Sequence, residues 1–433
     1  MIRTEITVVI LLCSFFIQPA SLCSQTPELS KGEEKTYTLN QIQADFEALI
    51  RFIEDTHPRL DYSVDMQEYN RTQREIKAQI SAATRRQVWS LFAQLNPVFN
   101  DGHLGLMIPE TQADTLLVGS SVEILNNKIY IYSEKLDNRV SVRSIGNVQM
   151  DSFLDSLNGL VRGESEGIKN FVVQKRFYAY LDLFNVDPLS DPWIIRVGNE
   201  ERSANYADLK INQPAEDPLF EFDALNDNIV RLRIDSFEKK YLTDFEFFLE
   251  NSFSRISEMG VNKIIIDLTE NGGGSREPSD ALLSFLTQNK YTPTSKVSAR
   301  VHESNHDRLQ HLSVGDTVTL PYPQWVTPKK RNVFKGEIYV LVSEKTYSQA
   351  IVFSTIVQDF GIGTIIGEET GGKANQTGQV QYFTLPNTGF KVVCPLYVLY
   401  RAKNSGINRG VIPEVLLRYP ISEEELLDAV SRD

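Results

Sequence analysis

Residues 344–378 read EKTYSQAIVFSTIVQDFGIGTIIGEETGGKANQTG, and their alternation decides the fold. An apolar run of helical length opens at Ser348 and meets the glycines at 361 and 363. TIIG then reads as a short buried strand, and two further glycines precede Lys373. Ser348 therefore stands where a strand hands over to a helix. That position suits a helix cap and a nucleophile alike.

The same alternation runs back to about residue 222. NIVRLRIDSF reads as a strand, and TDFEFFLENSFSRISEMG as a helix stopped by Gly260. NKIIIDLTENGGGS is a buried strand running into glycines, PSDALLSFLTQN a helix, and EIYVLVSEKTYS a further strand. Strand–helix alternation predicts an α/β unit over 222–420 with a largely parallel sheet. Sites in such sheets gather at the carboxyl ends of strands. DLTENGGGS, SEKTYSQ and GEETGGKANQ all fall there.

Two other segments precede this unit. Over 38–110, Ile42, Phe46, Leu49, Ile50 and Ile53 recur at helical spacing, and the pattern repeats over Met66–Ile80 and Arg86–Leu95. Three amphipathic helices are predicted, closed by a turn and a short strand at NDGHLGLMI. Over 115–205 the chain is β-rich: VEILNNKIYIYSE and WIIRVGNEERSANYADLKI read as hairpins, and MDSFLDSLNGLVRG as a helix.

The chain has 433 residues and a net charge of −13, with no basic stripe. That balance excludes a nucleic-acid partner, because phosphate binding needs clustered Lys and Arg. Residues 1–24 have the form of a secretory signal: Arg3, an apolar stretch from Val8 to Ile17, then small residues around Ala20–Ser24. Export to a periplasm or the outside is expected. A lipid anchor at Cys23 is the alternative, and only then would a membrane be a partner. Of three cysteines, Cys13 lies in that signal and Cys23 at its edge; Cys394 falls in the apolar strand FKVVCPLYVLY and reads as a buried small hydrophobe. No disulfide framework follows from such a count.

The candidate chemistry is sparse. Asn271–Ser275 reads NGGGS, and its glycines allow close backbone approach and anion-directed amides. It has neither the dinucleotide nor the P-loop spacing. A serine at a helix N-terminus lies beside free amides and the positive end of the helix dipole, yet it needs a base. Two are offered, Lys373 and His103 in NDGHLGL. His302, His306 and His311 lie in a polar stretch without metal-ligand spacing, and His57 sits at a helix end as a structural residue. No cofactor or metal is implied.

Four of these segments, in order, resemble the tail-specific, or C-terminal-processing, serine protease family, which includes the tricorn core and retinoid-binding-protein-like relatives. IIIDLTENGGG is similar to the family's strand and glycine turn. VLVSEKTYSQAIVFSTIVQDFGIGTIIGEETGGK is similar to its nucleophile region, NPVFNDGHLGL to its histidine segment, and NRGVIPEVLL to its closing motif. The resemblance implies a crotonase-like spiral ββα core, with 115–205 as a degenerate PDZ-like module. It implies Ser348 as nucleophile and an oxyanion hole from the amides of Gly273 and Gln349. One branch uses a Ser–Lys dyad, matching Lys373; the tricorn-like branch uses a Ser–His pair with an acid, matching His103.

This sequence departs from the pattern in three places. Gln349, Ala350 and Ile351 follow the serine where a small residue and a Glu are usual. Thr269 replaces an Arg. KNSGINRG, where the supporting acid of the tricorn-like branch is due, holds none. The resemblance implies an exported serine peptidase acting on proteins or peptides. The departures leave a second expectation, a catalytically retired binding protein on the same fold for extended peptides or small apolar ligands.

Overall fold

The computed structural model describes residues 35–111, 122–133, 136, 138–209, 218–309, 312–329, 333–403, 406 and 408–431. The signal-like segment 1–24, Cys13, Cys23 and His311 lie outside the described residues.

The amino-terminal helices run Leu39–Thr56, Met66–Gln79 and Arg85–Ala93, as the periodicity requires. Capping boxes open the first and third, Thr38 with Gln41 and Thr84 with Gln87. Two short strands, β1 (Thr36–Tyr37) and β2 (Ala83–Thr84), pair antiparallel beside them. A four-residue helix, Asn96–Phe99, ends on Asn100 in the left-handed region, which turns the chain through Asp101–His103 into β3 (Gly105–Leu106).

The β-rich segment is an antiparallel sheet. Its strands are β4 (Val122–Leu125), β5 (Lys128–Ser133), β6 (Asn138–Ile145), β7 (Val148–Gln149), β8 (Trp193–Val197) and β9 (Glu200–Ala204). The order is β4-β5-β6-β8-β9, with β7 paired to β6. Asn126 and Asn127 both take positive φ between β4 and β5, the backbone that a two-residue hairpin needs. Helices Met150–Leu157, Glu166–Lys175 and Phe177–Leu183 connect β7 to β8.

The third segment carries β10 (Phe220–Ala224), β11 (Ile229–Ile234), β12 (Lys263–Asp267), β13 (Lys296–Arg300), β14 (Thr317–Pro321), β15 (Glu337–Val342), β16 (Thr364–Gly367), β17 (Gln376–Thr384), β18 (Lys391–Tyr400) and β19 (Val415–Leu416). One sheet has the order β10-β11-β12-β15-β16-β19, parallel throughout except for β10. Helices Leu242–Met259, Arg276–Leu286 and Gln349–Phe360 make its crossovers, and Gly260 and Gly361 close two of them at positive φ. A second sheet, β14-β13-β18-β17, is antiparallel.

Two joins position the site. β3 pairs antiparallel with β18, Leu106 opposite Val392 and Gly105 opposite Val393, so the histidine turn is stitched onto the β17–β18 sheet. One buried cluster then runs from Phe46 and Trp89 through Phe153 and Trp193 to Val392 and Cys394. It welds the amino-terminal helices and the β4–β9 sheet to β18. Cys394 is fully buried, and burial pushes its thiol well up, as befits a small core residue.

Candidate active site

Three strand ends of the parallel sheet meet at Ser348. The turn after β15 is laced to the turn after β12: Ser343 Oγ donates to Thr269 O at 2.6 Å, Thr346 Oγ1 to Leu268 O at 2.8 Å, and the Tyr347 amide to Asn271 O at 3.0 Å. Thr269, where the family pattern has Arg, turns its hydroxyl onto Asp267 at 2.7 Å. Gly273 lies against the serine itself. A Cβ built on it would sit 2.7 Å from Ser348 Cβ and 2.9 Å from the Gln349 nitrogen. The glycine is therefore a steric requirement at φ +101°.

Ser348 holds φ 50° and ψ −118°, a backbone state that non-glycine residues rarely occupy and that gathers at functional sites. Its side chain makes no capping bond to the helix it opens. Ser348 Oγ instead lies 3.1 Å from His103 Nε2. Gln376 Nε2 donates to the Ser348 carbonyl at 3.0 Å and fixes the peptide. The Gln349 amide, first in the helix, has no acceptor among the described residues.

His103 is 8% exposed and arrives from the other end of the chain. Asn96 pins the turn that carries it, with Oδ1 accepting from the Leu106 amide at 2.8 Å and Nδ2 donating to Leu106 O and Leu160 O. The far ring nitrogen, Nδ1, faces two hydroxyls, Tyr347 at 3.2 Å and Thr377 at 3.3 Å. With both carboxyls ionised, each commits its single proton to a carboxylate: Tyr347 donates to Glu164 Oε1 at 3.0 Å and Thr377 to Asp101 Oδ1 at 2.9 Å. Both can then only accept at the ring, so Nδ1 carries the hydrogen and Nε2 presents its lone pair to Ser348. Asp101 Oδ1 also lies 3.8 Å from Nδ1 and takes the His103 amide at 2.8 Å. The Tyr347 ring stacks on the imidazole, centroids 4.9 Å apart.

Burial is the largest influence on these groups. It holds the His103 imidazole below its usual range, against the pull of Asp101, so the ring stays neutral and basic near pH 7. Burial, with the Asp101 charge second, pushes the Glu164 carboxyl up to about 8.

Lys373 is elsewhere in this arrangement. Its Nζ donates to Asn100 O at 3.5 Å and lies 5.7 Å from the Tyr62 ring centroid. Among the described residues no hydrogen bond joins it to Ser348 or His103. The Gly273 amide also departs from expectation: it is spent on Asn271 Oδ1 at 2.8 Å, inside its own turn. Of the expected oxyanion pair, Gln349 alone keeps a free N–H. His57 is buried, its Nδ1 accepting from the Arg59 amide, and burial lowers it to about 4. His302 bonds Ser304, and His306 bonds Leu312 O.

Sequence reasoning missed Asp101, Thr377, Tyr347 and Glu164. The first lies two places before the histidine it serves, and the third directly before Ser348, so both stood inside stretches already singled out. Thr377 sits in NQTG. Glu164 comes from the β4–β9 segment and leaves no local signal.

Two cavities adjoin these residues. One of about 60 Å3 is largely apolar and includes Pro293, Tyr322, Gln349, Val352, Tyr397 and Leu399 in its wall. The other, about 380 Å3, is charged and includes Glu164, Glu344, Lys373 and Arg409.

The fold is shared with solved structures. Mature CPAF complexed with lactacystin superposes with a TM-score of 0.61 at 15% identity, over 87% of this chain and 94% of that one. Mature CPAF gives 0.62 at 14% identity, over 87% and 93%. Residues 228–417 match the family model described as Peptidase family S41. The matched stretch, which carries Ser348, is similar to that family of serine peptidases, hydrolases whose substrates are proteins or peptides.

Proposed function

We propose that this chain hydrolyses peptide bonds with Ser348 as nucleophile and His103 as general base, and that it does so after export. The observation that carries the reading is the 3.1 Å contact between Ser348 Oγ and His103 Nε2, with Nδ1 backed by hydroxyls that lead to Asp101 and Glu164. Ser348 gives its proton to Nε2 as it attacks the carbonyl carbon. The imidazolium that forms is held by the nearby Asp101 charge and returns the proton to the leaving amine. The oxyanion is met by the Gln349 amide at the helix N-terminus; the Gly273 amide joins it only by releasing Asn271.

The apolar cavity beside Gln349 is placed to take an apolar substrate side chain. In architecture we read 222–420 as a crotonase-like protease core and 115–205 as a PDZ-like module. The parallel sheet with crossover helices and the separate antiparallel sheet support that reading. Export rests on the form of residues 1–24. No helix among the described residues is long and apolar enough to cross a membrane.

The retired-site alternative rested on the altered residues after Ser348 and on a missing acid, and Asp101 weakens the second argument by standing behind His103 from another direction. The experiment is digestion of an unfolded protein such as casein by the mature chain and by Ser348→Ala. Cleavage that disappears in the variant is expected. Equal cleavage by both, or none by either with ligand binding intact, would return the fold to a binding role.

A further inference from the structure

Behind the Ser348–His103 pair lies a group that the hydrolytic step does not itself use. Glu164 stands between the helices of the β4–β9 segment, just before Ser165 caps Glu166–Lys175. Its two oxygens are both engaged with the site: Oε2 accepts from the Gly102 amide at 3.2 Å, and Oε1 from the Tyr347 hydroxyl at 3.0 Å. Tyr347 OH in turn is 3.2 Å from His103 Nδ1. We propose that Glu164, acting through the Tyr347 hydroxyl, sets which ring nitrogen of His103 carries the proton, and so is a positioning residue that gates the nucleophile–base pair with pH. The proposal rests on the reading of Ser348 and His103 given above.

The logic follows from one proton on one hydroxyl. With Glu164 ionised, the tyrosine proton points at Oε1. The tyrosine oxygen then accepts from Nδ1–H, and Nε2 is bare toward Ser348. With Glu164 protonated, its own O–H donates to the tyrosine oxygen, and the tyrosine proton turns to Nδ1. The ring then releases its Nδ1 proton to solvent and takes one at Nε2, which points a hydrogen at Ser348 and cannot accept its proton. The net change is one proton taken up from solvent by the carboxyl.

The surroundings decide where this happens. Burial opposes the charge on Glu164, and Asp101 on the histidine turn repels it; the Tyr347 hydrogen bond and the Lys373 ammonium on the turn after β16 favour it. Arg162, two residues earlier on its own segment, acts on Tyr347 and His103. The balance leaves the carboxyl at about 8, above the imidazole it controls. Thr377, its proton held by Asp101, can only accept at Nδ1 and so favours the Nδ1–H ring whatever the state of Glu164, which makes the gate graded.

The test uses the mature full-length chain with ¹⁵N-labelled histidine. Two-bond ¹H–¹⁵N correlations report the His103 tautomer at pH 7 and pH 9.5, assigned by the signal missing in His103→Ala. The expected result is an Nδ1–H ring at pH 9.5 and a growing Nε2–H share at pH 7. Glu164→Gln should hold the Nε2–H form at both, because the Gly102 amide claims the carboxamide oxygen and leaves its NH2 to donate to Tyr347. Tyr347→Phe should remove the pH dependence.

On casein, wild-type kcat should rise roughly tenfold between pH 7 and 9 at unchanged KM. Glu164→Gln should be low and flat. A wild-type tautomer that does not change between the two pH values, or a Glu164→Gln profile that follows wild type, overturns the proposal. The wild-type titration needs no variant to fold, and the tautomer is read without turnover. A failure of the hydrolytic reading is thus seen separately, as absent Ser348-dependent cleavage.

Discussion

Gly273→Ala probes the seam between the glycine turn and Ser348, and Gly260→Ala supplies its control. Both glycines have positive φ, +101° and +69°. Gly260 caps a helix with nothing within 4 Å of the position a Cβ would take. Its replacement should cost about 1–2 kcal/mol of backbone strain and leave hydrolysis unchanged. At Gly273 the new methyl meets Ser348 Cβ at 2.7 Å, Tyr347 O at 2.8 Å and the Gln349 nitrogen at 2.9 Å, where ordinary contact begins at 3.4 Å. Two of those atoms are backbone, so they cannot swing aside. The serine turn must shift by roughly 0.5–0.7 Å, and displacements approaching 1 Å at a reacting group cost about a hundredfold. We expect kcat/KM to fall by about ten- to a hundredfold, with a stability loss of about 2–4 kcal/mol from strain and overpacking together. Casein hydrolysis and urea unfolding of both variants measure the two quantities. If Gly273→Ala loses only stability, to the same extent as Gly260→Ala, the close approach has no role in aligning Ser348.

Two further predictions concern the frame around the site. His57 is buried neutral and lowered to about 4, whereas the unfolded chain binds its proton near 6.5. The unfolded state thus holds more protons between those values, and stability from this residue is present above pH 6.5 and lost as pH falls through 4. The loss approaches about 3 kcal/mol, and urea midpoints of wild type against His57→Gln across pH 4–7 should show the slope shrink in the variant. Arg401 pairs with Asp359 through Nη2 at 2.6 Å and Nε at 3.1 Å, both side chains almost wholly buried. Arg401→Met strands the carboxylate and should cost about 3–5 kcal/mol by thermal or urea unfolding, while the double replacement Arg401→Met with Asp359→Leu recovers much of it.

The parallel sheet was legible because its central strands, β12, β15 and β16, are apolar runs with glycines close by, and Gly260 ends its helix where the pattern stops. Ser348 and His103, the proposed nucleophile and base, stood out for a different reason: each sits in a short stretch whose neighbours are constrained by the same turn. The second sheet was harder. β14 alternates exposed and half-buried residues at a sheet edge, and β13 joins β18 from across a long connection, so neither announces its partner. The carboxylates behind His103 were harder to read, although Asp101 stands only two places before it. Asp101 reaches the ring chiefly through Thr377, and Glu164 reaches it through Tyr347. A carboxylate that acts through a hydroxyl from another segment leaves no fixed spacing along the chain. Lys373 shows the converse, since a glycine-preceded lysine has the right local look while its ammonium lies at Asn100 and Tyr62. Gly273 does lie against Ser348, but its amide is consumed by a side chain two residues earlier.

The account stands most directly on which base serves Ser348. Casein hydrolysis by the mature chain should be compared with His103→Ala and Lys373→Ala under identical conditions, with melting curves confirming that both variants fold. The account predicts that His103→Ala loses about two to four orders of magnitude in kcat and that Lys373→Ala keeps the wild-type value. Loss of activity in Lys373→Ala with retention in His103→Ala would contradict it.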